Sequence, residues 1–586
     1  MVSRRPRIRS RRPGGTLVTV FLAALAVLVG CSSTISGTGV VAGSQTTSTG
    51  GTTTAPRGST STGSSAPATS ISASPAGPVP AGLESYYSQQ LSWGPCASYA
   101  ASADQKNVYR SASLQCARLT VPVSYEDAAA GSSVPTATVG VLRKVATDQA
   151  GRIGSAVFDP GGPGVSGMDT VAYFYAPSDS KTDAQKVTDA TLAELNQSFD
   201  LVGFDPRGVG ASQPSVSCQT DAEWDTFRAT AWRTRTQAEV DAANAALKTI
   251  AGQCAARTGA DDGIDGTTFL ANIGTRDVAK DLDVLRASLG DDKLTYVGFS
   301  YGTSIGTVYA EQFGQNVRAL VLDGAVDPNQ DPIASSLGQA KGFQHAFDEF
   351  AAWCVKQSDC VLGTDADAAT RAYQSLVRPL LDTPLALKDG RVLSFSDANT
   401  GVIQALYVED LWPTLSIALQ KLSEGDGSVV MFLADYYFER DQTGHYTPAP
   451  QAFNAVRCVD GPALTDPAVV TKFNADYAAA APFQARGDPP GAVNDICAYW
   501  PVPPTMQPHV ANAPGLPQVL VISTTGDPAT PYQQGVDLAK DLNAVLLTVE
   551  GTSHTAYLGA GNSCVDDIVN TYLITLELPA EGTTCS

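Results

Sequence analysis

"LTYVGFSYGT", residues 294–303, decides the fold. An apolar, β-favouring run from Leu294 to Phe299 drives straight into Ser300, and a segment of helical character, "YGTSIGTVYAEQFG" (301–314), leaves from Tyr301. Gly298-Phe299-Ser300-Tyr301-Gly302 fits G-x-S-x-G, whose chemistry depends on a strand before the serine and a helix after it. In 586 residues with 53 glycines the five-residue pattern can arise by chance. The flanking elements and the rest of the chain give it meaning.

Outward from this point, apolar strand runs alternate with helical patterns, the signature of a parallel α/β sheet covered on both faces. The runs are 136–145, 155–160, 199–208, 294–300, 318–324, 518–527 and 543–551. The spacing predicts a helix over 275–290, with Val278, Leu282, Leu285 and Leu289 on one face and Gly290 as its stop. One stretch breaks the alternation. Residues 328–510 are mainly helical in pattern and poor in buried-strand runs, so they read as a cap inserted before the strand that carries Asp527. A shorter helical excursion covers 219–270. The expected divisions are a leader (1–30), a Ser/Thr/Gly/Pro-rich flexible tether (31–82), a first core part (83–327), the cap (328–510) and a second core part (511–586).

A serine hydroxyl needs a base. The chain has four histidines. Only His554, in "EGTSHTAY", lies beyond the last strand, as the chain order Ser…Asp/Glu…His requires. His345, His445 and His509 fall in the cap. Asp527, in "TTGDPATP", directly follows an apolar strand and is placed to orient an imidazole. Thr530 either braces that carboxylate or caps a helix. Oxyanion donors are expected from the N–H of Tyr301 and from the loop "DPGGPGVSG" (159–167), with Gly161, Gly162 and Gly164 as its candidates.

These motifs, with "DPRGVGAS" (205–212), "GDPATP" and "GTSHT", resemble the secreted tripeptidyl aminopeptidases of the α/β-hydrolase superfamily, relatives of prolyl aminopeptidases. The resemblance spans most of 83–586 and includes a TAP-like C-terminal region. It implies an α/β-hydrolase fold, a Ser300–His554–Asp527 triad, and release of tripeptides from free N-termini. Asp159 stands where such proteins more often have Asn, and Val165 where they often have Gly. An exopeptidase must also recognise an ammonium group. Asp460, in "RCVDG", fits the family pattern best, with Asp495 in "NDICAYWP" as the alternative. Fold and triad do not choose between amide and ester. A carboxylesterase or lipase, or a non-catalytic peptide-binding lipoprotein, are the other readings.

The remaining features concern location. Six arginines by residue 12, an apolar run from Leu17 to Val29 and "LVGC" ending at Cys31 resemble a lipoprotein leader with Cys31 as the acylated residue. Sec or twin-arginine export both stay open. The expected place is the outer face of a bacterial cytoplasmic membrane. Formal charge is −20. Residues 1–30 hold six bases and no acid, so their removal leaves 32 basic against 58 acidic side chains, or −26. Such a surface disfavours nucleic acid. Setting Cys31 aside leaves ten cysteines. Pairing of sequence neighbours gives Cys96–Cys116, Cys218–Cys254, Cys354–Cys360, Cys458–Cys497 and Cys564–Cys585. No CxxC or HExxH spacing occurs, so neither metal nor organic cofactor is implied. The protein is expected to act as a monomer on peptide substrates.

Overall fold

A computed structural model describes residues 77–176, 182–489, 491–559 and 561–586. The leader, Cys31 and most of the tether lie outside the described residues. The tether was expected to reach residue 82, but from residue 77 the chain is laid on the core. Val79 packs against the main apolar cluster there.

The centre is one nine-stranded sheet. In chain order its strands are β1 (Leu114–Pro122), β2 (Thr136–Lys144), β3 (Gly154–Asp159), β4 (Phe199–Asp205), β5 (Leu294–Phe299) and β6 (Val317–Asp323). After the separate ribbon β7–β8 (Leu385–Ala386, Val392–Leu393) come β9 (Leu520–Thr524), β10 (Val545–Val549) and β11 (Thr584–Cys585). The spatial order is β1-β2-β4-β3-β5-β6-β9-β10-β11. β2 runs antiparallel to both neighbours, and all other pairs are parallel. Strands β3, β4 and β5 are buried at every position, as continuous apolar runs covered on both faces must be. The expected mostly parallel, doubly wound α/β fold is observed. The sequence reading did not anticipate β1, whose alternation of buried and exposed residues suits an edge strand.

The Thr275–Ser288 helix buries Val278, Leu282 and Leu285, and Gly290 follows its end at φ +83°. Its buried face also carries Asp281, Asp283 and Arg286. Asp281 takes both guanidinium arms of Arg207 at 2.7 and 2.6 Å and the Tyr125 hydroxyl at 2.8 Å. Arg207 also donates to the carbonyls of Pro122, Val123 and Asn272. The arginine of "DPRG" therefore joins the end of β1 to the turn after β4 and to this helix.

Between β6 and β9 the chain is helical apart from the β7–β8 ribbon. It does not form one unit. Helices from Pro332 to Tyr437 enclose their own apolar centre around Phe347, Tyr373 and Leu415. The helix Ala449–Asp460 and the segment around Ile496 and Trp500 pack instead into the main core. The 219–270 excursion joins them. Arg228 pairs with Asp397 and Asp435, and Gln451 Oε1 accepts from the Gln219 N–H at 2.8 Å. Cap and excursion merge because each buries apolar faces the other leaves open. All five neighbour pairs of cysteines are joined as disulfides. Among the described residues no helix is long and apolar enough to cross a membrane.

Candidate active site

Strand β5 ends at Phe299, and the helix Tyr301–Phe313 starts two residues on. Ser300, between them, has φ 53° and ψ −125°. For a residue with a Cβ that is a strained conformation, and it persists only where surroundings enforce it. Here the Ser300 N–H donates to the Asp323 carbonyl at 2.9 Å, and the Ser300 carbonyl accepts from the Thr303 N–H and hydroxyl. The turn is also too tight for a side chain at Gly298, where a Cβ would lie 2.4 Å from the Gly302 carbonyl oxygen.

The loops after β9 and β10 bring Asp527 and His554 together. His554 Nδ1 lies 2.7 Å from each carboxylate oxygen, and both side chains are fully buried. Asp527 Oδ1 also accepts the N–H groups of Ala529 and Thr530, at 2.9 and 2.8 Å. Its Oδ2 accepts the Thr530 hydroxyl at 3.0 Å, and that hydroxyl is 3.2 Å from His554 Nδ1. Thr530 thus touches acid and base together. These contacts fix the proton on Nδ1 and leave Nε2 as the acceptor. His554 Nε2 is buried and makes no hydrogen bond, so a Ser300–His554 bond is not closed in this state. Such bonds commonly tighten only with substrate present. The two residues are near neighbours through β6. Asp323 receives the Ser300 N–H, and a Cβ on the following Gly324 would lie 3.1 Å from His554 Cε1.

Sequence reasoning passed over Asp323. Its Oδ2 accepts the N–H groups of Ala556 and Tyr557, at 2.9 and 2.8 Å, and so holds the loop carrying His554. Burial pushes its carboxyl up to about 7. Only its place at the end of an apolar strand hinted at this.

The loop after β3 lies against the serine turn. Gly161 has φ +91°, and a Cβ there would stand 2.7 Å from the Tyr301 nitrogen and 2.4 Å from the Phe299 carbonyl oxygen. Its own N–H is turned inward to Asp159 Oδ1 at 2.9 Å. Of the expected loop donors, Gly161 therefore has its N–H committed, and Pro163 has none. Gly162 and Gly164 remain, beside Tyr301. Burial pushes the Asp159 carboxyl up to about 8. Asp205, at the end of β4, ties down the far side of the loop through the Ser166 hydroxyl and the Met168 N–H. The cap helix Ala449–Asp460 roofs it: a Cβ on Gly164 would lie 2.6 Å from the Ala449 carbonyl oxygen.

Asp460 ends that roof helix. Its Oδ1 accepts the Thr275 N–H at 2.8 Å, and Oδ2 accepts the Thr275 hydroxyl at 2.5 Å and faces the Tyr301 hydroxyl at 3.4 Å. It caps a helix whose own N-cap, Gly274, has no side chain. Tyr301 spans from the serine turn to this carboxylate. Burial lifts the Asp460 carboxyl to about 6. Asp495 is engaged elsewhere, by Arg457 at 3.0 Å and the Cys497 N–H at 2.9 Å.

The other histidines stand apart from this cluster. His345 is exposed, His445 lies by Asp221, and His509 by Glu311. Among the described residues one group has metal-ligand spacing: Cys458, Asp495 and Cys497. Its two sulfurs are joined to each other, which removes the thiolates a metal would need.

Comparison with known proteins agrees with this architecture. The pattern of the alpha/beta hydrolase fold matches residues 160–560. The chain is 43% identical over 510 residues to "Serine protease Hip1" of Mycobacterium tuberculosis, covering 86% of this chain and 92% of that one. It is equally similar, 43% over 499 residues (85% and 90%), to "Carboxylesterase B" of the same species. It is 29% identical over 491 residues (81% and 83%) to "Tripeptidyl aminopeptidase" of Streptomyces coelicolor.

Proposed function

Because the chain belongs to the α/β-hydrolase family and is a serine hydrolase of that type, we propose that it is a serine exopeptidase that trims tripeptides or similarly short peptides from free N-termini. The observation that carries the reading is the buried acid–base pair Asp527–His554, set beside a strained serine whose neighbour Tyr301 reaches the Asp460 carboxylate.

In this mechanism Ser300 Oγ attacks the scissile carbonyl carbon, and His554 Nε2 takes the hydroxyl proton. Asp527 stabilises the resulting imidazolium and holds its orientation. The N–H groups of Tyr301 and of Gly162 or Gly164 receive the developing oxyanion. His554 then gives its proton to the leaving amine, and water, activated the same way, releases the acyl group. Asp460 supplies the negative charge for the substrate ammonium. It would do so as the carboxylate, so the proposal requires it to be ionised at the working pH.

The test is a matched pair of substrates. A free tripeptide amide should be cleaved and its N-acetylated form left intact. Equal cleavage of both would defeat the exopeptidase reading. Cleavage of short-chain esters alone would favour a carboxylesterase, the reading supported by the esterase-named relative. Fluorophosphonate labelling that persists in Ser300→Ala would overturn the nucleophile assignment.

We also place the protein, as a monomer, on the outer face of the cytoplasmic membrane through acylated Cys31. Cys31→Ser should release it into the medium. Retention in the membrane fraction would refute the anchor.

A further inference from the structure

A second chamber lies away from the triad. It is a cavity of about 260 Å³ between the start of the Phe395–Leu406 helix, the Pro467–Ala480 helix and the turn that follows residue 483. Its apolar wall includes Phe395, Phe473, Ala478 and Val493. It shares no lining residue with the triad or the oxyanion loop. Phe395 opens the helix that Tyr407 follows, and the Tyr407 carbonyl accepts the His554 N–H. At 1.5 Å per residue the chamber is about 18 Å from the base along that helix.

Most polar groups of this chamber are hydrogen-bonded, Asn474 to the Gly491 carbonyl and Asn399 to the Phe395 carbonyl among them, but a few buried polar atoms are not. Arg486 Nε and Nη2 are buried without a hydrogen bond, and no carboxylate lies within ion-pair distance of its guanidinium among the described residues. Its aromatic neighbour is the Phe395 ring, 5.4 Å from the guanidinium carbon. Gln484 Nε2, on the same wall, is likewise buried without an acceptor. The fully buried arginines are ion-paired, Arg207 with Asp281, Arg228 with Asp397 and Arg286 with Asp283, whereas the half-buried Arg486 has no ion pair. A guanidinium largely out of water without a hydrogen-bonded carboxylate is costly, and burial pushes Arg486 down to about 10 despite the opposing charge of Asp488. Asp488 borders the chamber too. Its Oδ1 is taken by Arg235 at 2.7 Å, and its charge partly offsets that of Arg486.

We propose that this chamber is a binding site for a small monocarboxylate with an apolar body, its carboxylate on Arg486 and Gln484 and its body against Phe395 and Phe473. Arginine is suited to this role, because its planar fork matches a carboxylate. A short fatty acid or the C-terminal residue of a peptide supplies the same chemistry. Hexanoate and N-acetyl-leucine stand for the two sources, and the tighter of the two identifies the natural class.

The experiment is calorimetric and thermal titration of the whole protein. Hexanoate should bind and raise Tm with concentration. Hexanamide and inorganic phosphate should not. Arg486→Met should weaken hexanoate at least tenfold, and without ligand it should melt above wild type, since an unpaired, half-buried charge has gone. Should Arg486→Met fail to fold, Ala478→Phe plugs the chamber instead. It should abolish hexanoate binding while sparing hydrolysis of a short ester. Hexanamide binding within threefold of hexanoate, undiminished hexanoate affinity in Arg486→Met, or no hexanoate binding at millimolar concentration would each overturn the site.

Discussion

Replacing Asp527 by asparagine isolates one feature of the acid–base pair: which carboxylate oxygen faces what. Asp527 Oδ1 receives two backbone N–H groups, from Ala529 and Thr530. An amide nitrogen cannot take that place, because it would meet two donors. The asparagine carbonyl oxygen must stay there, which puts the NH2 group where Oδ2 now stands. That position is 2.7 Å from His554 Nδ1 and 3.0 Å from the Thr530 hydroxyl. The hydroxyl can rotate and accept. The imidazole can accept only by giving up the proton on Nδ1, and the neutral ring then carries it on Nε2. A ring protonated at Nε2 cannot take a proton from Ser300. Both backbone contacts to Oδ1 survive and only the long Thr555 N–H contact to Oδ2, at 3.4 Å, is given up, so the fold should persist. In a hydrolytic triad this inversion lowers turnover by about ten-thousandfold, or roughly 5.5 kcal/mol of barrier. The assay is turnover of a free tripeptide amide and of a p-nitrophenyl ester, with Tm measured alongside. Retention of more than about a tenth of the activity, at unchanged Tm, would refute the argued orientation and the base role together.

Gly161→Ala adds a Cβ 2.7 Å from the Tyr301 nitrogen at a φ that favours glycine; displacing one oxyanion donor should cut kcat by about 100- to 1,000-fold, with KM moving less. Asp281→Asn should strand the buried Arg207 charge at a cost of about 3–5 kcal/mol, read as a lowered denaturant midpoint, and the double change Arg207→Met with Asp281→Leu should restore much of it. Asp159 has a folded pKa of about 8 against an ordinary value of 3.8. A carboxyl raised in this way supports the fold fully below about pH 4, and loses that contribution as pH climbs to its folded pKa. Asp159→Asn should therefore flatten the fall in Tm between pH 4 and 8, and an unchanged slope would show that Asp159 is not the titrating group.

Much of the fold was legible because its signals are local. Strands such as β5 are unbroken apolar runs, and the Thr275–Ser288 helix shows its buried stripe at helical spacing. Ser300, Asp527 and His554 each follow a strand, so chain order alone could nominate them. What stayed hidden depends on contacts between distant segments. Asp323 holds the His554 loop from 233 and 234 residues away. Arg207 finds Asp281 at a separation of 74 residues. The division of the 328–510 segment between two apolar centres depends on which faces the 219–270 excursion covers. The Gly161 N–H looked like an oxyanion donor because its loop is glycine-rich; only the turn geometry commits it to Asp159.

The cap reaches His554, the proposed base, directly. The His554 backbone N–H donates to the carbonyl of Tyr407 at 3.0 Å, and the two rings lie 5.7 Å apart. Tyr407 belongs to the inserted segment and His554 to the sheet domain. The insertion is therefore not an interchangeable accessory. A graft that replaces it with a short connection removes the backbone partner of His554 as well as the roof, so changes in substrate preference and in the proposed base are inherited together. Selection acting on either one acts on the same tyrosine.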